Sequence, residues 1–239
     1  MIDLHSHILP GIDDGAGSID DSLKLARELH DAGVTEVFAT PHYITETIYT
    51  SPKKANLKLV SDLQKRLDVE GVDLKVHLGN EIYICKEIAD LVSGGEVSGL
   101  GGFSYLLVEL PMSGDFPGYY DIFLGLIRAG YKVVLAHPER YTSFASDFSL
   151  VSELFEMGVL FQCNVGSFAG QYGKTVFKLA RRMAKEKMIW GMGSDIHHVH
   201  PGLLNEGLKK LSKYYNDDEL EQILVGNPKK ILRADAGLE

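Results

Sequence analysis

Cysteine is nearly absent: the 239 residues contain two, Cys85 and Cys163, far apart and in apolar surroundings. Two such thiols build no disulfide framework, and a reduced, cytoplasmic compartment is expected. Neither opens a Cys-x5-Arg phosphatase loop, because Leu91 and Ala169 stand where the arginine belongs, so thiolate phosphatase chemistry is excluded. A Gly-x-Ser-x-Gly nucleophile elbow is missing as well. Gly173-Lys174-Thr175 has the tail of a P-loop, but Phe168 occupies the position of its first glycine. Apolar runs are short, and none approaches the roughly 20 residues that a membrane span needs. The opening Met1-Ile2-Asp3-Leu4-His5 lacks a basic, apolar leader, so neither membrane insertion nor secretion is expected. Positive charge is in deficit, with 24 Lys and Arg against 33 Asp and Glu and a net charge of -9. Nucleic-acid binding, which needs a dense basic face, is therefore not expected. A phosphorylated substrate remains compatible, since bound cations invert a local field. Repeats, low-complexity tracts and Pro/Ser-rich linkers are also lacking. Residues 1–239 are expected to form a single domain, long enough to bury a full core without disulfides.

What is present is alternation. Short β-branched runs near 2–5, 34–40, 74–79, 105–109, 132–137, 159–164 and 189–193 read as strands. Amphipathic stretches separate them. The first helix is capped by Ser18, with Asp21 at capping-box spacing, and is stopped by Gly33. Others are expected over 52–69, 86–93, 119–129, 147–157, 175–187, 203–215 and 217–225. Strands separated by helices imply parallel pairing. About seven such units without a Gly-rich dinucleotide fingerprint favour an α/β barrel, closed or distorted, over an open sheet.

The polar residues then fall into place. His5 and His7 follow the first strand, His42 the second and Glu81 the third, and Glu109 ends the fourth. His137 and Arg140 follow the fifth, and Asp195 and His197 the seventh. Carboxyl ends of barrel strands converge on one face, so these residues are expected to form one cluster. Imidazoles and carboxylates together suit divalent transition metals. His5 and His7, two apart on an extended segment, share one side. Thr40-Pro41-His42 and His137-Pro138-Glu139-Arg140 each end a strand with a histidine beside proline, which is expected to hold its neighbour in extended backbone and aim that side chain rigidly. In Pro10-Gly11-Ile12-Asp13-Asp14-Gly15, Asp14 reads as a ligand and Asp13 as a turn former. Glu81 and Glu109 sit against apolar runs, where a carboxylate is costly unless paired or bound to metal. His30 and His77 read as ordinary helix and strand residues, with no partner evident for His77.

Taken in order, these blocks resemble the polymerase and histidinol phosphatase (PHP) superfamily of metal hydrolases. They are most similar to its bacterial capsule-type, manganese-dependent protein tyrosine phosphatases. The opening Asp3 to Gly15, Thr40-Pro41-His42, Gly79-Asn80-Glu81, His137 to Arg140, Gln162 to Ser167 and Ser194-Asp195-Ile196-His197 carry the resemblance. It implies a distorted seven-stranded (β/α)7 TIM-like barrel with two to three divalent ions, manganese foremost and iron or zinc as alternatives. One ion would be held by His5, His7, Glu81 and Asp195. A second would be held by bridging Glu81 with Glu109 and His137, and a third by Asp14, His42 and His197. Arg140 would grip a phosphate oxygen, with Asp195 and His197 beside it as catalytic residues. An arginine that such phosphatases often carry after the Asp-x-His block is missing from 198–205, leaving His198 or His200 to replace it.

The activity implied is direct hydrolysis of phosphotyrosine by a metal-activated hydroxide, on the tyrosine-rich C-terminal segment of a bacterial tyrosine kinase controlling capsule or exopolysaccharide synthesis. Tyr43, Tyr49, Lys53 and Lys54 would flank the entering peptide. A histidinol phosphatase or other small-molecule phosphomonoesterase is the alternative enzyme. A metal-holding regulatory module without turnover is the alternative from another class.

Overall fold

The apolar runs become strands that are buried on both faces, which is why they read as near-continuous Val, Ile and Leu rather than alternating with polar residues. The computed structural model describes residues 1–102, 104–114 and 118–234. Its strands are β1 (Ile2–Ser6), β2 (Glu36–Ala39), β3 (His42–Tyr43), β4 (Lys75–Leu78), β5 (Glu81–Tyr83), β6 (Tyr105–Glu109), β7 (Lys132–Ala136), β8 (Leu160–Asn164) and β9 (Ile189–Gly193). The helices are α1 (Ile19–Asp31), α2 (Lys53–Glu70), α3 (Ile88–Ser93), α4 (Tyr119–Arg128), α5 (Thr142–Ser146), α6 (Ser149–Met157), α7 (Val165–Ala169), α8 (Gly173–Lys185), α9 (Leu203–Leu211), α10 (Asp217–Glu221) and α11 (Asn227–Ala234).

Every pairing between these strands is parallel. They run in the order β1-β2-β4 and β3-β5-β6-β7-β8-β9. The two sheets share staves, because β3 continues β2 and β5 continues β4. Pro41, which has no N–H to give the ladder, separates the first pair. Gly79 and Asn80 separate the second, where the Asn80 side chain donates to Pro41 O (3.1 Å) and accepts from the Ser98 amide (2.9 Å). The nine strands described thus make seven staves. The Asp195 amide donates to His5 O (2.7 Å) and the His7 amide to Ile196 O (3.2 Å), bringing the seventh stave back onto the first. The fold is a distorted seven-stranded TIM-like barrel.

Away from the irregularities in β1 and β9, residues alternate between two apolar clusters along the staves. Val133 and Leu135 face the helices, in the larger cluster, whereas Val134 and Ala136 face inward. The inner cluster joins Ile2, Leu4, Phe38, Leu100, Leu107, Val134 and Ala136. Ile231 of α11 completes it from the amino-terminal mouth, where Asn227 also donates to Trp190 O (2.8 Å). The opposite mouth, at the carboxyl ends of the strands, receives the polar residues.

α1 begins at Ser18, whose hydroxyl accepts from the Asp21 amide, and ends before Gly33, whose φ of +85° suits glycine. The expected helix over 147–157 is α6, which starts after Asp147, whose carboxylate accepts from the Ser149 amide (2.9 Å). The expected last helix, 217–225, is the capping-box helix α10 followed by a wide π turn, Gln222–Gly226. α5, α7 and α11 lie outside the sequence expectation.

Candidate metal centre at the carboxyl mouth

The register of β1 against β2 slips by one residue between Asp3 and Ser6. This bulge lets neighbours Leu4 and His5 both face the interior, which strict alternation forbids. The freed His5 amide donates to Asp3 Oδ1 (3.1 Å), which also accepts from the Ser194 amide (2.8 Å). Asp3 is wholly buried, and burial raises its carboxyl to about 6 against the amides that lower it. Glycine makes the remaining room. A Cβ on Gly193 would lie 2.6 Å from His5 Cβ, and one on Gly15 would strike the backbone of His7.

All nine residues expected as ligands meet at this mouth. His5 Nε2 and His7 Nε2 are 3.1 Å apart. Glu81 Oε2 lies 3.3 Å from the first and 3.4 Å from the second, and Asp195 Oδ1 lies 3.6 and 3.5 Å from them. His137 Nε2 is 2.9 Å from Glu81 Oε1 and 3.8 Å from Glu109 Oε1. Asp14 Oδ1 lies 3.4 Å from His42 Nε2 and 3.3 Å from His197 Nε2. His42 stands between groups, since its Nδ1 is 2.9 Å from Glu81 Oε2 and 3.9 Å from Glu109 Oε2. By closeness alone the groupings are His5, His7 and Glu81; His42, Glu81 and Glu109; and His7, Asp14, His42 and His197, with donor atoms within 4.8 Å in each.

This donor set fits divalent cations. It offers only imidazole nitrogens and carboxylate oxygens, the borderline and hard ligands that such ions share. Glu81 Oε2 is buried among three imidazoles without a hydrogen bond to any described residue, an arrangement that a bound cation would satisfy. The backbone is also bent at the cluster: His137 (φ +32°), expected to be extended before Pro138, and Asp195 (φ +52°) both sit in the left-handed region, a strain of about 1 kcal/mol or more each.

The electrostatics point the same way. Burial opposes charge on His7 and His42, yet Asp13 and Glu81 raise the first to about 10, and Asp14 and Glu81 raise the second to about 11. Glu109 is pushed up to about 8 by burial and then by the Glu81 charge. Burial would raise Asp195 too, but His5, His137 and His7 hold it at about 2. Without metal, the crowded carboxylates draw protons; the same field draws cations.

Arg140 reaches the cluster from the turn after β7. Its Nη1 donates to Asp195 Oδ2 (2.6 Å), and its guanidinium lies 4.5 Å from the Tyr172 ring centroid. A recess of about 130 Å³ opens beside it, lined by Arg140, Tyr172, Asp195, His197, His198 and His200 among others. The two histidines named as stand-ins for the missing arginine therefore face the same space as Arg140.

Sequence reasoning missed several contributors. Asp13 is more than a turn former, because Oδ2 accepts from His7 Nδ1 (2.9 Å). Gln162, Asn164 and Tyr172 were given no role, yet all lie within one or two contacts of His5 or Asp195. For Gln162 and Asn164 only the interior phase on β8 hints at it, and Tyr172, at the start of α8, has no such signal. His77, expected without a partner, has one in Glu36 (2.7 Å), far from the cluster. Tyr43 is buried in the outer core and does not face an entering peptide, whereas the Tyr49 ring packs 5.8 Å from that of His42.

Known tyrosine-protein phosphatases are similar to this chain over most of its length. Tyrosine-protein phosphatase YwqE of Bacillus subtilis is 34% identical over 236 residues, covering 98% of this chain and 92% of that protein. The putative tyrosine-protein phosphatase CapC of Staphylococcus aureus is 31% identical over 229 residues, covering 94% and 88%. A crystal structure from the pair YwqE of Bacillus subtilis and CpsB of Streptococcus pneumoniae, described as unique metal-dependent tyrosine phosphatases, matches with a TM-score of 0.91 at 32% identity, covering 98% of this chain and 94% of that one. A zinc-bound histidinol phosphate phosphatase of Lactococcus lactis shares the fold alone, at a TM-score of 0.59 and 12% identity over 90% of this chain and 94% of that one. The model of the family described as capsular polysaccharide synthesis, CpsB/CapC, matches residues 1–233, and the chain belongs to that family.

Proposed function

We propose that this chain is a metal-dependent protein tyrosine phosphatase that works as a single domain in the cytoplasm. Manganese is the preferred ion, with iron or zinc as alternatives. The substrate is the tyrosine-rich C-terminal segment of a bacterial tyrosine kinase that governs capsule or exopolysaccharide synthesis. One observation carries the reading: five imidazoles and four carboxylates converge on one barrel mouth beside a single guanidinium. Family membership and the similarity to YwqE and CapC support it. Among the described residues, no helix is long and apolar enough to cross a membrane.

In this reading His5, His7, Glu81 and Asp195 would hold one cation, Glu81 with Glu109 and His137 a second, and Asp14, His42 and His197 a third. Bound cations supply Lewis acidity, lowering the pKa of water towards neutrality and offsetting phosphoryl charge. The protein supplies position. Arg140 keeps Nη1 on Asp195 and turns the rest of its fork to the phosphate, while the Tyr172 face restricts where the guanidinium can move. His197 donates from Nδ1 to the Asp195 carbonyl (3.0 Å), which directs Nε2 to the Asp14 side. His198 and His200 line the same recess as Arg140, and one or the other would serve as the second phosphate contact. A phenolate leaves readily, with a pKa near 10 for its conjugate acid, so the site needs less leaving-group protonation than an alkyl phosphatase.

A competition assay tests the substrate. Phosphotyrosine peptide is expected to exceed both phosphoserine peptide and histidinol phosphate in kcat/KM by about tenfold or more, about 1.4 kcal/mol in the transition state. Histidinol phosphate prevailing would replace the protein substrate with a small molecule and leave the metal centre intact. No turnover of any phosphomonoester would favour a regulatory module.

A further inference from the structure

Behind the cluster, β8 contributes two buried amides that no metal reading uses. Gln162 and Asn164 are both fully enclosed and alternate onto the interior side of the strand. Their contacts form one chain. Asn164 Nδ2 lies 2.7 Å from Asp195 Oδ2, Gln162 Nε2 lies 2.9 Å from Asn164 Oδ1, and Gln162 Oε1 lies 2.9 Å from His5 Nδ1.

The direction of this chain follows from chemistry alone. A carboxylate only accepts, so the Asn164 atom facing Asp195 is the amide nitrogen. The Asn164 oxygen then faces Gln162, which must present its own nitrogen there. That leaves the Gln162 oxygen against His5 Nδ1, so Nδ1 carries the proton. In the neutral ring, the form that binds metal, His5 Nε2 then keeps its lone pair towards His7 Nε2, Glu81 and Asp195 Oδ1. Asp195 is likewise divided, with Oδ2 engaged by Asn164 and Arg140 and Oδ1 free towards the imidazoles.

The relay is anchored at its far end. Glu139 Oε1 accepts from the Asn164 amide (2.8 Å) and from Ser167 Oγ (2.6 Å), fixing the turn from β8 into α7. It is also made room for. A Cβ on Gly193 would lie 2.6 Å from Gln162 Nε2 as well as from His5, so only glycine lets the two side chains meet there.

We propose that Gln162 and Asn164 are positioning residues: a one-way amide relay that sets the His5 tautomer and ties its orientation to Asp195, two ligands that come from opposite ends of the chain. The inference rests on the metal reading above, and its first readout needs no turnover. Outer partners of metal-bound imidazoles typically matter by about 10- to 100-fold in affinity or activity.

The test uses Gln162→Leu, Gln162→Glu and Asn164→Asp in the full chain. Mn²⁺ affinity is measured by chelator competition, and the His5 Nδ1–H resonance is followed by 1H–15N spectroscopy with Zn²⁺ as a diamagnetic substitute. In the wild type that proton should exchange slowly. Gln162→Leu should lose the slow resonance and bind Mn²⁺ at least about tenfold more weakly. Gln162→Glu keeps an acceptor for His5 but cannot donate to Asn164, so it should retain the resonance and still lose affinity. Asn164→Asp sets two carboxylates together and should weaken binding too. A generally damaged core would lower the unfolding temperature without this split. Folded variants whose Mn²⁺ affinity stays within about twofold of wild type, or a slow Nδ1–H surviving in Gln162→Leu, overturn the relay. If Gln162→Leu does not fold, the contrast between Gln162→Glu and Asn164→Asp decides: a lost resonance in Gln162→Glu overturns it, and a retained one with weaker Mn²⁺ binding supports it. If neither metal binds the wild type, the metal reading itself has failed.

Discussion

His7 Nδ1 donates to Asp13 Oδ2 over 2.9 Å, and the same oxygen accepts from the His42 amide at 3.3 Å. Asp13 Oδ1 meanwhile accepts from the Gly15 amide (3.0 Å), closing the turn. One buried carboxylate thus shapes the loop, orients His7 with Nε2 inward and fastens the start of β3. The neighbouring Asp14 points the other way, half exposed, towards His42 and His197. Adjacent aspartates in one turn have divided the work of orienting and contacting the cluster.

Asp13→Ala should therefore weaken Mn²⁺ binding by about 10- to 100-fold, since His7 is no longer held in one tautomer. Asp13→Asn, which retains an acceptor, should lose less. Isothermal titration of the two variants checks this. Equal affinities for Asp13→Ala and wild type would reduce the residue to a turn former.

Arg140→Lys should cost more than conserved charge suggests, because an ammonium lacks the planar fork and stacks poorly on Tyr172. Steady-state kinetics with a phosphotyrosine peptide should show kcat/KM lower by about tenfold or more, at unchanged metal content. An unaltered rate would mean that Arg140 serves only to brace Asp195.

The strand ends and nearly every member of the cluster are legible in the sequence, because a polar residue closing an apolar run, as in Thr40-Pro41-His42 or Ser194-Asp195-Ile196-His197, has no other reason to be there. What is not legible depends on phase and packing. The bulge after Asp3 adds one residue to β1, and no local signal marks it. Gln162 and Asn164 look like polar interruptions until the neighbouring staves bring His5 and Asp195 against them. Tyr43 looks like a loop residue because only β3, two residues long, shows that it turns into the core. α11 follows a π turn and carries few apolar residues, so Ile231, its one side chain in the inner cluster, does not register as periodicity.

That side chain gives a prediction that separates fold from chemistry. Ile231 is 1% exposed and plugs the amino-terminal mouth. Ile231→Ala should lower unfolding stability by about 2–5 kcal/mol while leaving kcat/KM and metal affinity unchanged, because the cluster lies at the other mouth. Denaturant titration measures the first and kinetics the second. A large loss of activity in folded protein would show that the two ends are coupled.

Metal uptake should release protons. His7 and His42, raised from 6.5 to about 10 and 11, and Glu109, raised to about 8, all hold protons at pH 7 in the metal-free protein. Ligands bind metal deprotonated, so calorimetry in buffers of different ionisation enthalpy should detect proton release at pH 7, and apparent affinity should rise with pH. For the histidines, the linked stability of the metal-free fold is complete below pH 6.5, declines above it and is gone beyond about 10 to 11. Uptake of Mn²⁺ without proton release would contradict these shifts.

The central claim is that the cluster around Glu81 binds the cations on which phosphotyrosine hydrolysis depends. The direct measurement is phosphate release from a phosphotyrosine peptide by metal-stripped wild type and Glu81→Gln, each before and after addition of Mn²⁺, with bound metal counted in parallel. The account predicts about two to three ions per wild-type chain, as clustered N/O ligands imply, and activity that vanishes on stripping and returns on reloading. Glu81→Gln should bind fewer ions and stay at least about a hundredfold slower at saturating Mn²⁺, the scale of several kcal/mol of lost charge stabilisation. Full activity in stripped wild type, or normal turnover by Glu81→Gln, would contradict it.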